Sequence, residues 1–324
     1  MTAQGRVVVL LTSPRVAPGL LSWPAWQALR TADQVFAADA GTPAVRAADV
    51  QVTVLDGDDR ARWDRLRSAA ADGASVVWFA GDDGDPGLLR IVSDELVTEP
   101  GQPFDVEILT GSYDVPGARL VDLVRVMDRL RSECPWDKEQ THRSLATYLL
   151  EEAYETLEAI DTGDRDHLRE ELGDLLLQVM FHSRIAEEDA AEPWSVDDVA
   201  GDIVEKLVRR HPHVFADVDA ADAAAVEANW ETIKAAEKQR TSVLEGIPQT
   251  LPALALADKV LGRAARLTLS EVPEPDDATA RIGAELLDVV RRARADGVDP
   301  EQALRDAVRD LADHIRTTES THPD

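Results

Sequence analysis

Short apolar runs alternate with helical periodicity through the first 112 residues. Arg6–Thr12 (RVVVLLT), Gln34–Ala38, Val50–Leu55, Ser75–Ala80 (SVVWFA) and Phe104–Leu109 read as strands, each a short apolar run bounded by turn residues. Trp23–Thr31, Arg60–Ala71 and Leu88–Val97 have helical spacing, with Pro24 suited to a first turn and Asp72-Gly73 to a helix end. This alternation predicts a parallel sheet with flanking helices. Thr110–Pro116 reads as a linker. From Gly117 onward the 3.6-residue period takes over. It predicts helices over Leu120–Arg131, Thr141–Ile160, Asp166–Glu188, Val196–Arg210 and Asp219–Arg240, with Ser132–Gln140 as a loop. Ser195 is placed to cap the fourth of these and His211-Pro212 to end it. The remainder is helical in pattern, broken by Pro248, Pro252 and the loop Glu271–Asp276. The expected fold class is multidomain α/β plus all-α. A parallel α/β domain (1–112) is followed by a helical bundle (117–245) and a helical C-terminal segment (246–324).

Composition narrows the partners. Of 324 residues 44% are hydrophobic, enough for a sizeable core. Asp+Glu number 62 against 34 Lys+Arg, a formal net charge of −28. That balance argues against nucleic acid and anionic membranes, which need clustered positive charge, and leaves carboxylates free for divalent cations. The longest apolar runs, such as Val7–Leu11, fall far short of the roughly 20 residues of a membrane helix. No signal-peptide pattern opens the chain. The single cysteine, Cys134, excludes an intrachain disulfide framework and fits a reducing, cytoplasmic setting.

The candidate chemistry lies in two acidic clusters. Glu151-Glu152-Ala153-Tyr154-Glu155 falls on one predicted helix and Glu171-Leu172-Gly173-Asp174 on the next. Residues three apart share a helix face, so Glu152 pairs with Glu155 and Glu171 with Asp174. A tight loop makes the helices antiparallel neighbours, and the two pairs can face each other. Four converging carboxylates repel unless a cation neutralises them, and hard oxygen ligands suit Mg2+ or Mn2+. In so acidic a chain, such glutamates are also what a solvated helix face looks like. Their apolar company weighs towards a site: Leu149, Leu150, Tyr154 and Leu157 around the first pair, Leu172 and Leu175–Leu177 around the second. Leu175–Phe181 (LLLQVMF) predicts a largely buried helix.

A wider set of motifs points to a family. The loop from Cys134 to His142 (CPWDKEQTH) runs into Leu149–Glu155 (LLEEAYE). It is followed by Leu168–Gln178 (LREELGDLLLQ), Phe181–Glu187 (FHSRIAE), Lys206–Phe215 (KLVRRHPHVF) and Trp230–Lys234 (WETIK). In this order, over roughly residues 117–262, they resemble MazG nucleoside triphosphate pyrophosphohydrolases. The resemblance implies an all-α enzyme that cleaves a nucleoside triphosphate to the monophosphate and pyrophosphate with Mg2+, as nucleotide-pool house-cleaning. It makes Glu152, Glu155, Glu171 and Asp174 the catalytic metal ligands, and Glu151 an outer acid or helix-face residue. Phosphate contacts fall on Lys206 and Arg210, and an aromatic–lysine pair on Trp230 and Lys234. Each pair is i,i+4 on its helix, and the chain has only five lysines. Trp230 reads equally as core packing, and Trp136, Asp137 and Gln140 as pocket-forming or loop-ordering. The family implies at least a homodimer. A catalytically silent nucleotide- and Mg2+-binding regulatory module is the alternative.

The flanking segments carry weaker likenesses. The first strand and Gly84-Asp85-Pro86 are similar to half of a tetrapyrrole-methylase domain, without the second half that completes its cleft; a non-catalytic domain is expected. Arg281–Arg294 and Arg305–Leu311 echo the metal helices, with Glu285, Asp288, Ala307 and Asp310 at the four ligand positions. An alanine among them predicts a degenerate, non-catalytic second repeat.

Overall fold

The computed structural model describes residues 5–99, 101–216, 218, 222–237, 242–265, 267 and 277–321. Contacts divide the chain into two compact units, Met1–Gly201 and Asp202–Asp324.

The first unit opens with β1 (Gly5–Leu11), α1 (Trp23–Thr31), β2 (Gln34–Ala37), α2 (Pro43–Ala48), β3 (Val52–Val54), α3 (Asp59–Ala71), β4 (Ser75–Phe79), α4 (Pro86–Thr98) and β5 (Phe104–Thr110). The strands form one parallel sheet in the order β3-β2-β4-β1-β5. One face packs Val8, Leu10, Val35, Val77 and Phe79 against Ala25, Ala28 and Leu29 of α1 and Val45 of α2. The other packs Val7, Val9, Phe36, Val76 and Trp78 with Trp63 and Leu66 of α3 and Leu88 and Val92 of α4. Burial on both faces is why these strands read as continuous apolar runs. At Gly5, where β1 begins, a Cβ would overlap the Ala70 carbonyl oxygen, so the approach of α3 requires glycine there. Glu95 of α4 is buried and held by Arg67 (2.7 Å) and Arg60 (3.0 Å) of α3.

Two expectations change in this sheet. The strand expected over Val50–Leu55 is three residues long, because β3 is an edge that pairs only Val52–Val54 with Val35–Ala37 of β2. The six-residue α2, with Pro43 in its first turn, was not foreseen.

Beyond the sheet come α5 (Arg119–Glu133), α6 (Pro135–Glu139), α7 (His142–Thr162) and α8 (Arg165–Ala186). Arg15, after β1, joins α5 to the sheet domain by pairing with Asp114 (2.7 Å) and Asp122 (2.6 Å). The segment expected as a loop over Ser132–Gln140 contains α6. Arg131 orders it by donating to the carbonyls of Asp137 and Gln140 while pairing with Glu188 at 2.8 Å. Thr141 caps α7 in a reciprocal capping box with Ser144. Gly163, at φ 72°, ends α7 in the left-handed region, and Asp164 caps α8 through the amides of Asp166 and His167.

Met127, Leu145 and Phe181 form the core joining α5, α7 and α8, with Leu177 and Ile185 packed on it. The imidazoles of His142 and His182 meet edge to edge. Their planes differ by 1° and Nδ1 lies 2.8 Å from Nδ1, the geometry of one N–H···N bond. Burial of Leu175–Phe181 is partial. Gln178, Met180 and Phe181 are buried, Leu175–Leu177 are half-buried, and Val179 is exposed.

The helix α9 (Val196–Arg210) matches its expected span and crosses the boundary between the units. The Ser195 hydroxyl accepts from the Asp197 amide and donates to Asp198, as a cap should. The second unit continues with α10 (Pro212–Phe215), α11 (Ala223–Glu237), α12 (Ala253–Ala264), α13 (Ala278–Ala295) and α14 (Pro300–Thr321). The outer residues of the helix expected over Asp219–Arg240 (219–221 and 238–240), and the loop 271–276, lie outside the described residues. Arg294 of α13 binds Asp258 of α12 at 2.6 Å.

Candidate active site

The two-residue link of Gly163 and Asp164 folds α7 and α8 back on each other as an antiparallel pair. Ligand oxygens of Glu152 and Glu155 on α7 and Glu171 on α8 lie within 4.8 Å of one another. Among the described residues no other trio of acids, histidines and cysteines converges in this way. Asp174, the fourth expected acid, stands outside that trio but is half-buried, and its charge acts on both Glu152 and Glu171. Glu151 is exposed.

The electrostatics of the trio are those of crowded anions. Burial first, then the charges of Asp174, Glu155 and Glu171, holds the Glu152 carboxyl above its ordinary range. Burial, then Glu155, does the same to Glu171, opposed by His167. One oxygen of Glu171 lies 3.0 Å from His167 Nε2; the other is buried with no hydrogen-bond partner. A carboxylate with one orphaned oxygen, grouped with two more carboxylates, suits a divalent cation, which would remove the repulsion. His167 is the site residue that sequence reasoning missed. Its signal was the i,i+4 spacing to Glu171, which places both on one face of α8.

The apolar neighbours of the acids differ from expectation. Leu149, Leu150, Tyr154 and Leu172 are exposed, Leu150 at 58%.

Trp136 on α6 is exposed and makes edge contacts with Tyr148 and Phe181, ring centroids 6.1 and 6.2 Å apart. Gln140 is engaged in loop order: its amide donates to the Trp136 carbonyl and its oxygen accepts from Ser144. Asp137 is buried. Lys206, Arg210, Trp230 and Lys234 all belong to the second unit. Within it Arg210 of α9 and Trp230 of α11 meet, the guanidinium carbon 5.1 Å from the ring centroid. Lys206 and Lys234 are half-buried on the same two helices. At the echoed positions of the C-terminal segment, Asp288 is engaged by Arg291.

The MazG nucleotide pyrophosphohydrolase domain family matches residues 140–215, which include the whole α7–α8 pair. A nucleoside triphosphate pyrophosphohydrolase of Mycobacterium tuberculosis is 46% identical over 257 residues, covering 78% of this chain and 71% of that one. A protein of the same description in Escherichia coli K12 is 42% identical over 207 residues, covering 60% of this chain and 78% of that one. An uncharacterized 26.1 kDa protein from the blaB 3' region of Streptomyces cacaoi is 52% identical over 238 residues, covering 73% of this chain and 98% of that one. The acidic helix pair and these relatives define a hydrolase. The chain belongs to the MazG nucleotide pyrophosphohydrolase family.

Proposed function

We propose that this protein hydrolyses nucleoside triphosphates to nucleoside monophosphate and pyrophosphate, with Mg2+ held by Glu152, Glu155, Glu171 and Asp174. The observation that supports it most is the Glu152–Glu155–Glu171 trio, in which Glu171 keeps one buried oxygen without a partner. Bound there, Mg2+ supplies Lewis-acid polarisation of a phosphate and charge neutralisation for the departing pyrophosphate. His167, 3.0 Å from one oxygen of Glu171, would hold that carboxylate in place beside the cation. A glutamate of the acidic cluster would accept the proton of the attacking water. The family resemblance puts Lys206, Arg210 and Lys234 towards the polyphosphate and Trp230 towards the base or ribose, with Trp136 lining the pocket. The exposed apolar residues beside the acids support a homodimer in which a second copy covers α7 and α8. The N-terminal sheet domain takes no part in the chemistry.

Product identity tests the reading. The purified protein is incubated with the common nucleoside triphosphates in Mg2+ or EDTA, beside Glu152→Gln and Glu171→Gln, and products are resolved by anion exchange. Monophosphate plus pyrophosphate, lost in EDTA and in both variants, is expected. Binding without turnover would replace this reading with the regulatory module, and diphosphate plus phosphate would replace it with hydrolysis at the γ-phosphate.

A further inference from the structure

The resemblance assigns Arg210 to the substrate's phosphates, but its surroundings in the second unit suit a different task. The side chain is only 7% exposed. Its Nη2 and Nε donate to one oxygen of Glu237 at 2.6 and 3.1 Å. The other oxygen of Glu237 accepts from Arg209 Nε at 2.6 Å. Two guanidinium groups thus share one carboxylate, and hydrogen bonds from Arg210 and then Arg209 hold Glu237 down at about 2, ionised at every working pH. With its edge on Glu237, the Arg210 guanidinium lies over the Trp230 indole at 5.1 Å. The next residue, His211, donates from Nδ1 to the Leu207 carbonyl at 2.7 Å and sets its ring against the same indole, centroids 4.9 Å apart at 61°. The indole is therefore braced by Arg210, the last residue of α9, and by His211 just beyond it.

We propose that Arg210 is a positioning residue: Glu237 anchors it, Arg210 in turn fixes the Trp230 indole that recognises the nucleoside, and the phosphate contact made by α9 falls to Lys206. This rests on the proposed function in taking a nucleotide as ligand. Three features favour it over a direct phosphate contact. The guanidinium is buried, it already holds an anion, and the same anion is shared with Arg209, so a phosphate would have to displace a carboxylate bound by two cations. Lys206 is one turn earlier on the same face of α9, is half-buried, and carries the compact charge a polyphosphate can engage.

The two roles separate when the nucleoside and the polyphosphate are measured apart. Binding of an α,β-methylene nucleoside triphosphate analogue is measured by equilibrium dialysis for wild type, Glu237→Gln, Arg210→Lys and Lys206→Gln. Competition by inorganic tripolyphosphate is measured on each, and circular dichroism checks the fold. We expect Glu237→Gln and Arg210→Lys each to weaken the nucleotide by about tenfold, the scale of a lost guanidinium–indole contact. Competition by tripolyphosphate should stay within about twofold in both, since a contact to the indole leaves the phosphates untouched. The double variant should be no weaker than either single, because both act through one pair. Lys206→Gln should weaken tripolyphosphate and nucleotide alike. Tighter tripolyphosphate binding in Glu237→Gln would overturn the proposal, making Glu237 a competitor for a phosphate site. Equal weakening of both ligands in Arg210→Lys would also overturn it, making Arg210 a phosphate ligand. Wild type that binds the analogue but does not turn over the natural nucleotide sinks the hydrolase reading alone. Unchanged nucleotide affinity in Glu237→Gln sinks this one alone.

Discussion

Glu171 has one carboxylate oxygen 3.0 Å from His167 and the other buried without a partner. Replacing His167 by Ala frees the carboxylate to rotate without removing it. Outer partners of metal ligands typically contribute 10–100-fold to affinity. In His167→Ala the Mg2+ concentration for half-maximal turnover should therefore rise by about tenfold or more, with the rate at saturating Mg2+ largely retained. A metal titration of activity reads this directly, and an unchanged midpoint removes His167 from the site.

The trio's charge has its own sign. Glu171 is raised in the folded state, so the folded protein holds its proton more tightly than the unfolded chain. The stability this gives is present in acid and is lost as pH rises through the folded value. At pH 7.5 in EDTA, Glu171→Gln should thus melt above wild type. In Mg2+ the order should reverse, because only the carboxylate gains from the cation. Thermal melts of both proteins in the two buffers settle it.

His182 runs the other way. Burial, then the neighbouring charge of His142, lowers its pKa from an ordinary value of about 6.5. Its contribution is intact above that value and is lost as pH falls through it towards the folded value, since the unfolded chain takes up the proton first. The melting temperature should fall between pH 7 and 5, and His182→Gln should flatten that slope relative to wild type.

The α7–α8 turn is where helix geometry sets site geometry. Gly163 ends one helix at φ 72° and Asp164 starts the next, so two residues determine which turns of α7 face which turns of α8. Asp164→Ala removes a cap worth about 1 kcal/mol. Gly163→Ala forces a side chain into the left-handed region at a cost of about 1–2 kcal/mol. Each loss should appear in urea unfolding, and turnover should fall with it because the facing acids shift together. Full activity with the expected destabilisation would separate the turn from the site.

Much of this was legible in the chain. Trp23–Thr31 and Val196–Arg210 are helices over the spans their caps and periodicity indicate. Of the four acids whose i,i+3 spacing predicts convergence, Glu152, Glu155 and Glu171 come together and Asp174 stands outside them. What escaped depends on tertiary contact. The helix α2 is too short to show a period. The length of β3 is set by how much of β2 remains to pair with it. The helix α6 is ordered by Arg131, which lies outside it. The Arg210–Glu237 pair joins residues on two helices, and no local pattern marks it.

Taken as one chain, the sheet and the helical part of the first unit differ in how they bury apolar surface. The sheet domain encloses Trp63, Trp78, Phe36 and Phe79 almost fully. The α5–α8 region leaves Leu120, Val126, Leu130, Leu149, Leu150, Tyr154, Ile160 and Leu172 exposed. Apolar surface on that scale is rarely left uncovered in a monomer. Light scattering on the purified protein should give at least twice the protomer mass, and Leu150→Glu should lower it. A wild-type mass of one protomer would leave that surface to another partner.

The place of β1 in the sheet bears on how the protein is made. It leaves the ribosome before the other strands of the sheet, yet its neighbours are β4 and β5, the last of them to be synthesised. Val7–Leu10, fully enclosed in the finished fold, must wait in the nascent chain until Thr110 has emerged. The α7–α8 hairpin has no such delay, since its halves meet as soon as both are out. A ribosome stalled soon after β3 should therefore carry a sticky, chaperone-binding β1, whereas after a stall beyond β5 that strand should resist protease.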